Sequence, residues 1–369
     1  MYKILHVISD KNIGGAGVLL LSLLRHTDRT HFEPILALPR DSLLVPRARA
    51  LGVRCILMDK GGDRTFSLAA IPTLFRIMRE EKPHILHTNA SLSARVAALP
   101  LRRIISVDTK HCCFAPTAKQ TTPLARLAFR TLERLSDVHY ILTAEAAREP
   151  LRLRGGDESR ATVICGGSER VAPIDPKEKR ALRAELGIGE NDFVVGYAAR
   201  VEHGKGHEHL IKAARLLSDQ KDIRFLAVGD GSLLPEMRTR AKGLPNIIFT
   251  GFREDIGRVT NLFDLTLNCS YLSETSPLSL SEGMSLGIPL VVTDVGGNAD
   301  MAKDCGLVIS PRAPRELAEA ILRLKTDRAL YARFSNGAKH RHADYDAEGM
   351  TQKTETLYLQ LINEKDLKF

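Results

Sequence analysis

Twice along this chain, short β-rich runs alternate with helical stretches, and this alternation restricts the fold more than any other feature of the sequence. The first series has strand-like runs at Lys3–Ser9, Pro34–Leu38, Arg54–Leu57, Ile85–His87, Ile104–Asp108 and Val138–Leu142. A polar stretch containing Gly and Pro, from Cys165 to Pro176, interrupts it. The pattern then restarts with Phe193–Ala198, Arg224–Val228, Asn246–Thr250, Leu265–Asn268 and Leu290–Thr293. Strands separated by helices imply parallel sheets, because a parallel pair needs a crossover, and the crossover helices cover both sheet faces. The expected class is therefore α/β, with two Rossmann-like domains facing each other across a cleft. The carboxyl ends of the strands are the default ligand site. A length of 369 residues suits two such domains, placed at 1–170 and 171–346.

Composition supports this reading. Hydrophobic residues make up 44% and charged residues 26%, the balance of an ordinary globular chain and not of a disordered or membrane-embedded one. The longest apolar stretch, Val18 to Leu24, is closed by Arg25 and His26, well short of the ~20 residues a spanning helix needs. The N-terminus carries no cleavage pattern, so the protein reads as unexported. Six cysteines (Cys55, Cys112, Cys113, Cys165, Cys269, Cys305) show no metal spacing and suit reduced thiols in a cytoplasmic protein.

Charge is unevenly placed. Of a net +9, residues 1–172 hold +10, from 26 Lys/Arg against 16 Asp/Glu, and the remainder −1, from 27 against 28. A basic half can face nucleic acid, an anionic membrane surface or a polyanionic substrate, or it can be ordinary solvated charge. Aromatic content of 5%, no tryptophan and no basic helix with interleaved stacking residues argue against nucleic acid. The stretch Leu124–Leu135 reads as an amphipathic helix with Arg126, Arg130 and Arg134 four apart. It is either a core-packing helix with a solvated basic stripe or a patch that rests on anionic lipid headgroups. His84, His87 and Asn89, around a strand, either meet an acceptor or are buried and satisfied within the fold.

Three segments carry chemistry. The first strand runs into Asp10-Lys11-Asn12-Ile13-Gly14-Gly15-Ala16-Gly17 and then a helix, a turn that can present amides to an anion. It is not the dinucleotide fingerprint G-x-G-x-x-G, which counts against a NAD-dependent dehydrogenase. In the second block a strand ends near Arg200, and Lys205 stands at the start of a helix running to about Leu217. A guanidinium and an ammonium at a strand's carboxyl end suit a diphosphate. Gly206 occupies the place where a Walker loop carries its Ser or Thr, so this is not such a loop. The third segment is Tyr271-Leu272-Ser273-Glu274-Thr275-Ser276-Pro277-Leu278-Ser279-Leu280-Ser281-Glu282-Gly283-Met284. Ser276 reads as a helix N-cap and Pro277 as the first helical residue. Glu274 then lies in the loop and Glu282 more than a turn inside the helix. The amides from Thr275 to Leu278 form an anion site between them.

In order, the Gly-rich first turn, Arg-x-x-x-x-Lys-Gly, Val228-Gly229-Asp230-Gly231, Gly251-Phe252-Arg253 and two glutamates eight apart before Gly-x-Pro-x-Val resemble the family 4 glycosyltransferases, retaining enzymes of the GT-B fold. The resemblance implies a nucleotide-diphosphate-sugar donor bound in the C-terminal domain and a glycan or lipid-linked acceptor in the N-terminal one. By the same resemblance Arg200 and Lys205 neutralise the donor diphosphate, Glu282 holds the ribose and Glu274 stands beside the donor sugar. Thr250-Gly251-Phe252-Arg253 matches the base-recognition segment, and Gly15 and Gly17 match a loop over the phosphates. His111 matches a histidine near the sugar and the reaction centre. Ser276, Pro277 and Leu278 belong to the donor site, His87 and Asn89 to the acceptor side. A final helix at about 347–369 crosses back onto the N-terminal domain. No cofactor and no metal are implied. Asp344-Tyr345-Asp346 matches the metal-binding string D-x-D only by chance, since it lies between C-terminal helices. The chain departs from the family pattern at Cys165-Gly166-Gly167-Ser168-Glu169, at Asp300 and at Cys112-Cys113 after His111. An epimerase acting on a nucleotide-sugar is the alternative within the same fold.

Overall fold

The computed structural model describes residues 1–366 and divides into two compact units. One runs from Met1 to Gly167 and takes in the chain from Ala347; the other is Ser168–Asp346. The division thus falls three residues before the expected 170/171 boundary. Residues 367–369 of the expected final helix lie outside the described residues. Among the described residues no helix is long and apolar enough to cross a membrane.

The first unit is built on a seven-stranded parallel sheet in the order β3-β2-β1-β4-β5-β6-β7. Its strands are β1 (Tyr2–Ile8), β2 (Phe32–Pro39), β3 (Arg54–Met58), β4 (Ile85–Asn89), β5 (Ile105–Lys110), β6 (Val138–Leu142) and β7 (Ala161–Val163). The central strands are continuous runs of Val, Ile and Leu because both faces are covered, and Leu5, Val7, Ile35 and Leu86 pack with Leu74, Ile77 and Met78 of a covering helix. β7 escaped the sequence reading: it is three residues long, an edge strand and only half-buried.

The helix Ala347–Asp366 belongs to this unit and packs on the helix Gly15–His26. Its buried face carries Met350, Leu357, Tyr358 and Ile362. The backbone N–H of Asp28 donates to the Glu355 carboxylate at 2.8 Å, and the Tyr358 hydroxyl bonds His87 Nδ1.

The helix expected over Leu124–Leu135 runs Pro123–Ser136, with Pro123 at N1 and the Thr122 hydroxyl accepting from Ala125 N at 3.3 Å. It ends at Asp137, whose φ of 47° is left-handed. It is not a core-packing helix, however. Its buried residues are Glu133 and Ser136, and most of its leucines face solvent.

The second unit has a six-stranded parallel sheet in the order β10-β9-β8-β11-β12-β13. Its strands are β8 (Phe193–Ala198), β9 (Ile223–Val228), β10 (Ile247–Gly251), β11 (Leu265–Asn268), β12 (Leu290–Thr293) and β13 (Gly306–Ile309). β13, again a short edge strand, was not legible beforehand. Val195, Tyr197, Phe225, Leu265, Leu267 and Val291 form the core of one face.

Tyr358 joins apolar packing to a hydrogen bond with a buried histidine. Tyr358→Ala is expected to destabilise the first unit by about 3 kcal/mol or more, and Tyr358→Phe by about 1–2 kcal/mol, because His87 Nδ1 then stays buried and unpaired. Denaturant unfolding of both variants measures the two values; a Tyr358→Phe variant as stable as the parent would remove the hydrogen bond from the account, and equal costs for the two variants would remove the packing.

Candidate active site

In the second unit the site is assembled where β8 and β11, neighbours in the sheet, end. The turn after β8 holds Arg200 and Lys205, and the helix that follows is His207–Leu216, so Lys205 precedes the helix and does not begin it. Gly206 is the N-cap, at φ 77°. A Cβ there would stand 2.0 Å from the Cys269 carbonyl oxygen, so only glycine lets this turn close against the end of β11. Two buried side chains hold the turn: the Tyr197 hydroxyl donates to the Lys205 carbonyl at 2.5 Å, and the Cys269 thiol to the Gly206 carbonyl at 3.4 Å.

Lys205 Nζ meets Glu274 Oε1 at 2.6 Å. Glu274 is buried, and the Ser270 hydroxyl donates to the same oxygen. Behind it the Thr293 hydroxyl donates to the Ser270 carbonyl, Asn298 Nδ2 to Thr293 Oγ1 at 3.4 Å, and the Gly297 N–H to the Glu274 carbonyl at 3.0 Å. The carboxylate is thus fixed from several sides in one orientation. A buried carboxylate needs such compensation, since an unpaired charge there would be costly. Arg200, in the same turn, is exposed and makes no ion pair among the described residues.

The helix expected from Pro277 runs Leu278–Ser285, with Pro277 as N-cap and without a side-chain cap bond. Ser276 is therefore not the cap. Pro277 has a helical φ of −56° but an extended ψ of 116°, so the helix begins one residue later. Glu282, on that helix, is half-buried, and its carboxylate has no hydrogen bond or ion pair among the described residues. Burial alone pushes it up to about 7. Arg253 is held away from free play: Asp255 takes Nε at 2.7 Å and Nη2 at 2.8 Å, and Glu185 takes Nη1 at 2.7 Å.

The first unit collects His87, Asn89, Thr109 and His111 at the carboxyl ends of β4 and β5. They line a cavity of about 20 Å³ with Leu19, Leu20 and others, room for about one water. His111 Nε2 lies 2.8 Å from Asn89 Oδ1, so it donates to that oxygen. Burial, together with Lys110, lowers His111 to about 4 against the opposing pull of Asp108, and the imidazole is uncharged at neutral pH.

Two expected residues have other work. His87 is buried with Nδ1 on Tyr358 and Nε2 2.6 Å from Thr109 Oγ1, so both nitrogens serve the fold and neither is left for an acceptor. Gly17 is also a packing residue: a Cβ there would stand 2.8 Å from the Leu44 side chain, whereas one on Gly15 would meet open space. Neither of these glycines has positive φ. Asp344 of the D-x-D string pairs with Arg341 at 2.7 Å, and Tyr345 between the two aspartates is buried. Among the described residues no group of three or more His, Cys, Asp or Glu is placed to hold a metal ion. Tyr197, Ser270 and Cys269 were not expected as site residues. In the sequence they read only as strand and strand-end residues.

Comparison with known proteins gives the same picture in both halves. The family model described as Glycosyltransferase Family 4 matches residues 13–169, and the one described as Glycosyl transferases group 1 matches 178–341. A putative glycosyltransferase, EpsD, of Bacillus subtilis is 30% identical over 158 residues, 42% of this chain and 41% of that protein's length. An Escherichia coli enzyme named UDP-Gal:alpha-D-GlcNAc-diphosphoundecaprenol alpha-1,3-galactosyltransferase is 24% identical over 81% of each chain. Among solved structures, Anabaena HepE in complex with UDP and glucose superposes with a TM-score of 0.82 at 22% identity, over 97% of this chain and 99% of that one.

The Glu282 carboxyl yields a test of the local electrostatics. Its folded-state value, about 7, lies above the ordinary 4.5, so its protonated form stabilises the fold, and that contribution is lost as pH rises through 7. Glu282→Gln should then melt higher than the parent at alkaline pH, by more than about 2 °C, with the difference shrinking as pH falls from 7 towards 4.5 and vanishing below the ordinary value of 4.5. Melting curves across this pH range check it; a difference independent of pH would mean that the carboxyl is not desolvated.

Proposed function

The chain belongs to the family 4 glycosyltransferases, and from that premise we propose that it moves a sugar from a nucleotide-diphosphate-sugar to a glycan or lipid-linked acceptor in surface polysaccharide synthesis, with retention at the anomeric carbon. The second unit takes the donor and the first the acceptor. The observation that carries the donor assignment is the meeting of Lys205 with Glu274 at adjacent strand ends, with exposed Arg200 in the same turn.

The chemistry these residues supply is electrostatic. When the sugar's C1–O bond to the diphosphate breaks, negative charge grows on the leaving oxygens. Arg200 offers a planar fork of donors to them and Lys205 a compact charge, the latter held in place by Glu274 before the reaction. The start of the helix at Leu278 adds unpaired amides on the same side of the ligand. Glu274, immobilised by Ser270 and Gly297, accepts from hydroxyls of the transferred sugar. Glu282 accepts from the ribose hydroxyls, and a ligand hydroxyl is the partner its carboxylate otherwise lacks. Arg253, oriented by Asp255 and Glu185, stands where the base is recognised. Gly15 remains part of the loop over the phosphates. His111, uncharged and set by Asn89, offers hydrogen bonding to the sugar without adding charge to the reaction centre. The E. coli relative, whose name gives a diphosphoundecaprenol acceptor, supports a lipid-linked acceptor here.

Arg200→Ala removes an exposed side chain and should leave the melting temperature unchanged while lowering transfer by about a hundredfold or more, the usual loss when one preorganised donor is deleted. Lys205→Ala should cost at least as much transfer and some stability as well, because the buried Glu274 then loses its ion-pair partner. Single-turnover assays with radiolabelled nucleotide-sugars measure both effects. Near-normal transfer by Arg200→Ala would sink the diphosphate assignment, and conversion of the labelled donor without transfer would favour the epimerase.

A further inference from the structure

We propose that the helix Pro123–Ser136, with Phe114 ahead of it, is a docking surface for an anionic lipid bilayer, into which it inserts its leucines. The helix presents its apolar stripe outward: Leu124, Leu127 and Leu135 are 77%, 62% and 66% exposed, and Phe114 59%. At roughly 100° per residue, Leu124, Leu127, Thr131 and Leu135 fall on one stripe. Arg134 borders the stripe beside Leu127 and Arg130 stands further round on the same side, while Arg126 lies beyond them, next to Glu133. Phe129, Glu133 and Ser136 lie on the opposite side, which faces the protein.

That inner side is anchored, so the exposure is a fixed orientation of the helix. The Phe129 ring packs against the cluster of Val138, Tyr140, Leu142 and Leu151, with the Arg154 guanidinium 4.7 Å from its centroid. Arg130 Nε donates to the Gly155 carbonyl at 3.4 Å, and Glu133 and Ser136 are buried. With the helix held in this way, the leucines have no partner within the described residues that their own packing requires.

Charge selects the occupant. Between Asp108 and Asp137 the chain carries Lys110, Lys119, Arg126, Arg130 and Arg134, and the one acidic residue, Glu133, is turned inward. A leucine stripe edged by guanidiniums on long stems matches a bilayer whose apolar region lies under a layer of phosphates. The leucines enter the acyl boundary while the arginines stay at headgroup depth. A second copy of this chain is a poor occupant, since a two-fold interface would set the arginine edge against itself.

The sequence contains no tryptophan, so a single one introduced by substitution reports without background. Leu127→Trp and, as a control in the other unit, Leu216→Trp (likewise exposed) are mixed with vesicles of phosphatidylglycerol and phosphatidylcholine in equal parts, or of phosphatidylcholine alone. The emission of Leu127→Trp should shift to the blue and become protected from a soluble quencher with the anionic vesicles only, and the shift should fade at high salt. Leu216→Trp should not respond. In co-sedimentation, the triple variant Leu124→Gln/Leu127→Gln/Leu135→Gln and the double variant Arg130→Gln/Arg134→Gln should each bind the anionic vesicles at least about tenfold more weakly than the parent, and the triple variant should melt at the parent's temperature. Failure of the parent to sediment with anionic vesicles at low salt would overturn the proposal. So would unaltered binding by the triple variant, or a blue shift of Leu127→Trp that follows protein concentration without lipid, which would assign the face to a second copy. None of these readouts requires donor, acceptor or turnover, so they stand apart from the assignment of sugar transfer.

Discussion

The contact between Lys205 and Glu274 fixes the geometry of the second unit's site, because it joins two loops 69 residues apart at the ends of neighbouring strands. Either charge alone would be expensive there: Glu274 is buried, and Lys205 keeps only part of its side chain in water. Together they are tolerated, and the supporting bonds show how closely the pair is constrained. Tyr197 and Cys269 hold the lysine's turn through backbone carbonyls, while Ser270, Thr293 and Gly297 hold the glutamate's loop. The chain thus presents a cation and a carboxylate in fixed places without asking either side chain to be ordered by a ligand. Most of the entropy cost of arranging the site is met during folding.

The first unit solves a related problem with neutral groups. Burial disfavours charge on imidazole, and His87 and His111 both fall well below their ordinary value, to about 3 and about 4. Their polar atoms are then satisfied by hydrogen bonds: Thr109 and Tyr358 for His87, Asn89 for His111. Because Tyr358 comes from the helix Ala347–Asp366, the end of the chain helps hold β4, the strand that also carries Asn89, the residue orienting His111. Packing of the final helix and the setting of His111 are therefore parts of one connected arrangement.

Much of this was legible in the residues, and the exceptions have physical causes. Val138–Leu142, Phe193–Ala198, Leu265–Asn268 and Leu290–Thr293 are strands with the bounds their apolar runs suggest, because central parallel strands are buried on both faces. β7 and β13 lie at sheet edges, where half-buried runs of three or four residues leave little pattern. The helix at Leu278 was placed one residue early, since proline's fixed φ suits the position before a helix as well as its first turn. Local spacing brought Arg200 and Lys205 together and set the two glutamates on one segment. It could not reveal that His87 is taken by a tyrosine 271 residues away, or that Gly17 is packed against Leu44. Those depend on tertiary neighbours.

The helix Pro123–Ser136 shows the same limit from the other side. A 3.6-residue period says that a helix has an apolar face and a polar one, but not which of them the protein keeps. The usual assumption, apolar inward, fails here because the inner side carries Phe129, which packs on the core, together with Glu133 and Ser136, which are buried beside it. With the inner side occupied in this way, Leu124, Leu127 and Leu135 can only face outward. The positive charge that composition located in the first half of the chain consequently has a definite place. Part of it, Arg130 and Arg134, borders the exposed leucines, with no exposed carboxylate between Asp108 and Asp137 to offset it. A surface that combines these two features gains from contact with a phase that is apolar inside and negative at its boundary, and water offers neither.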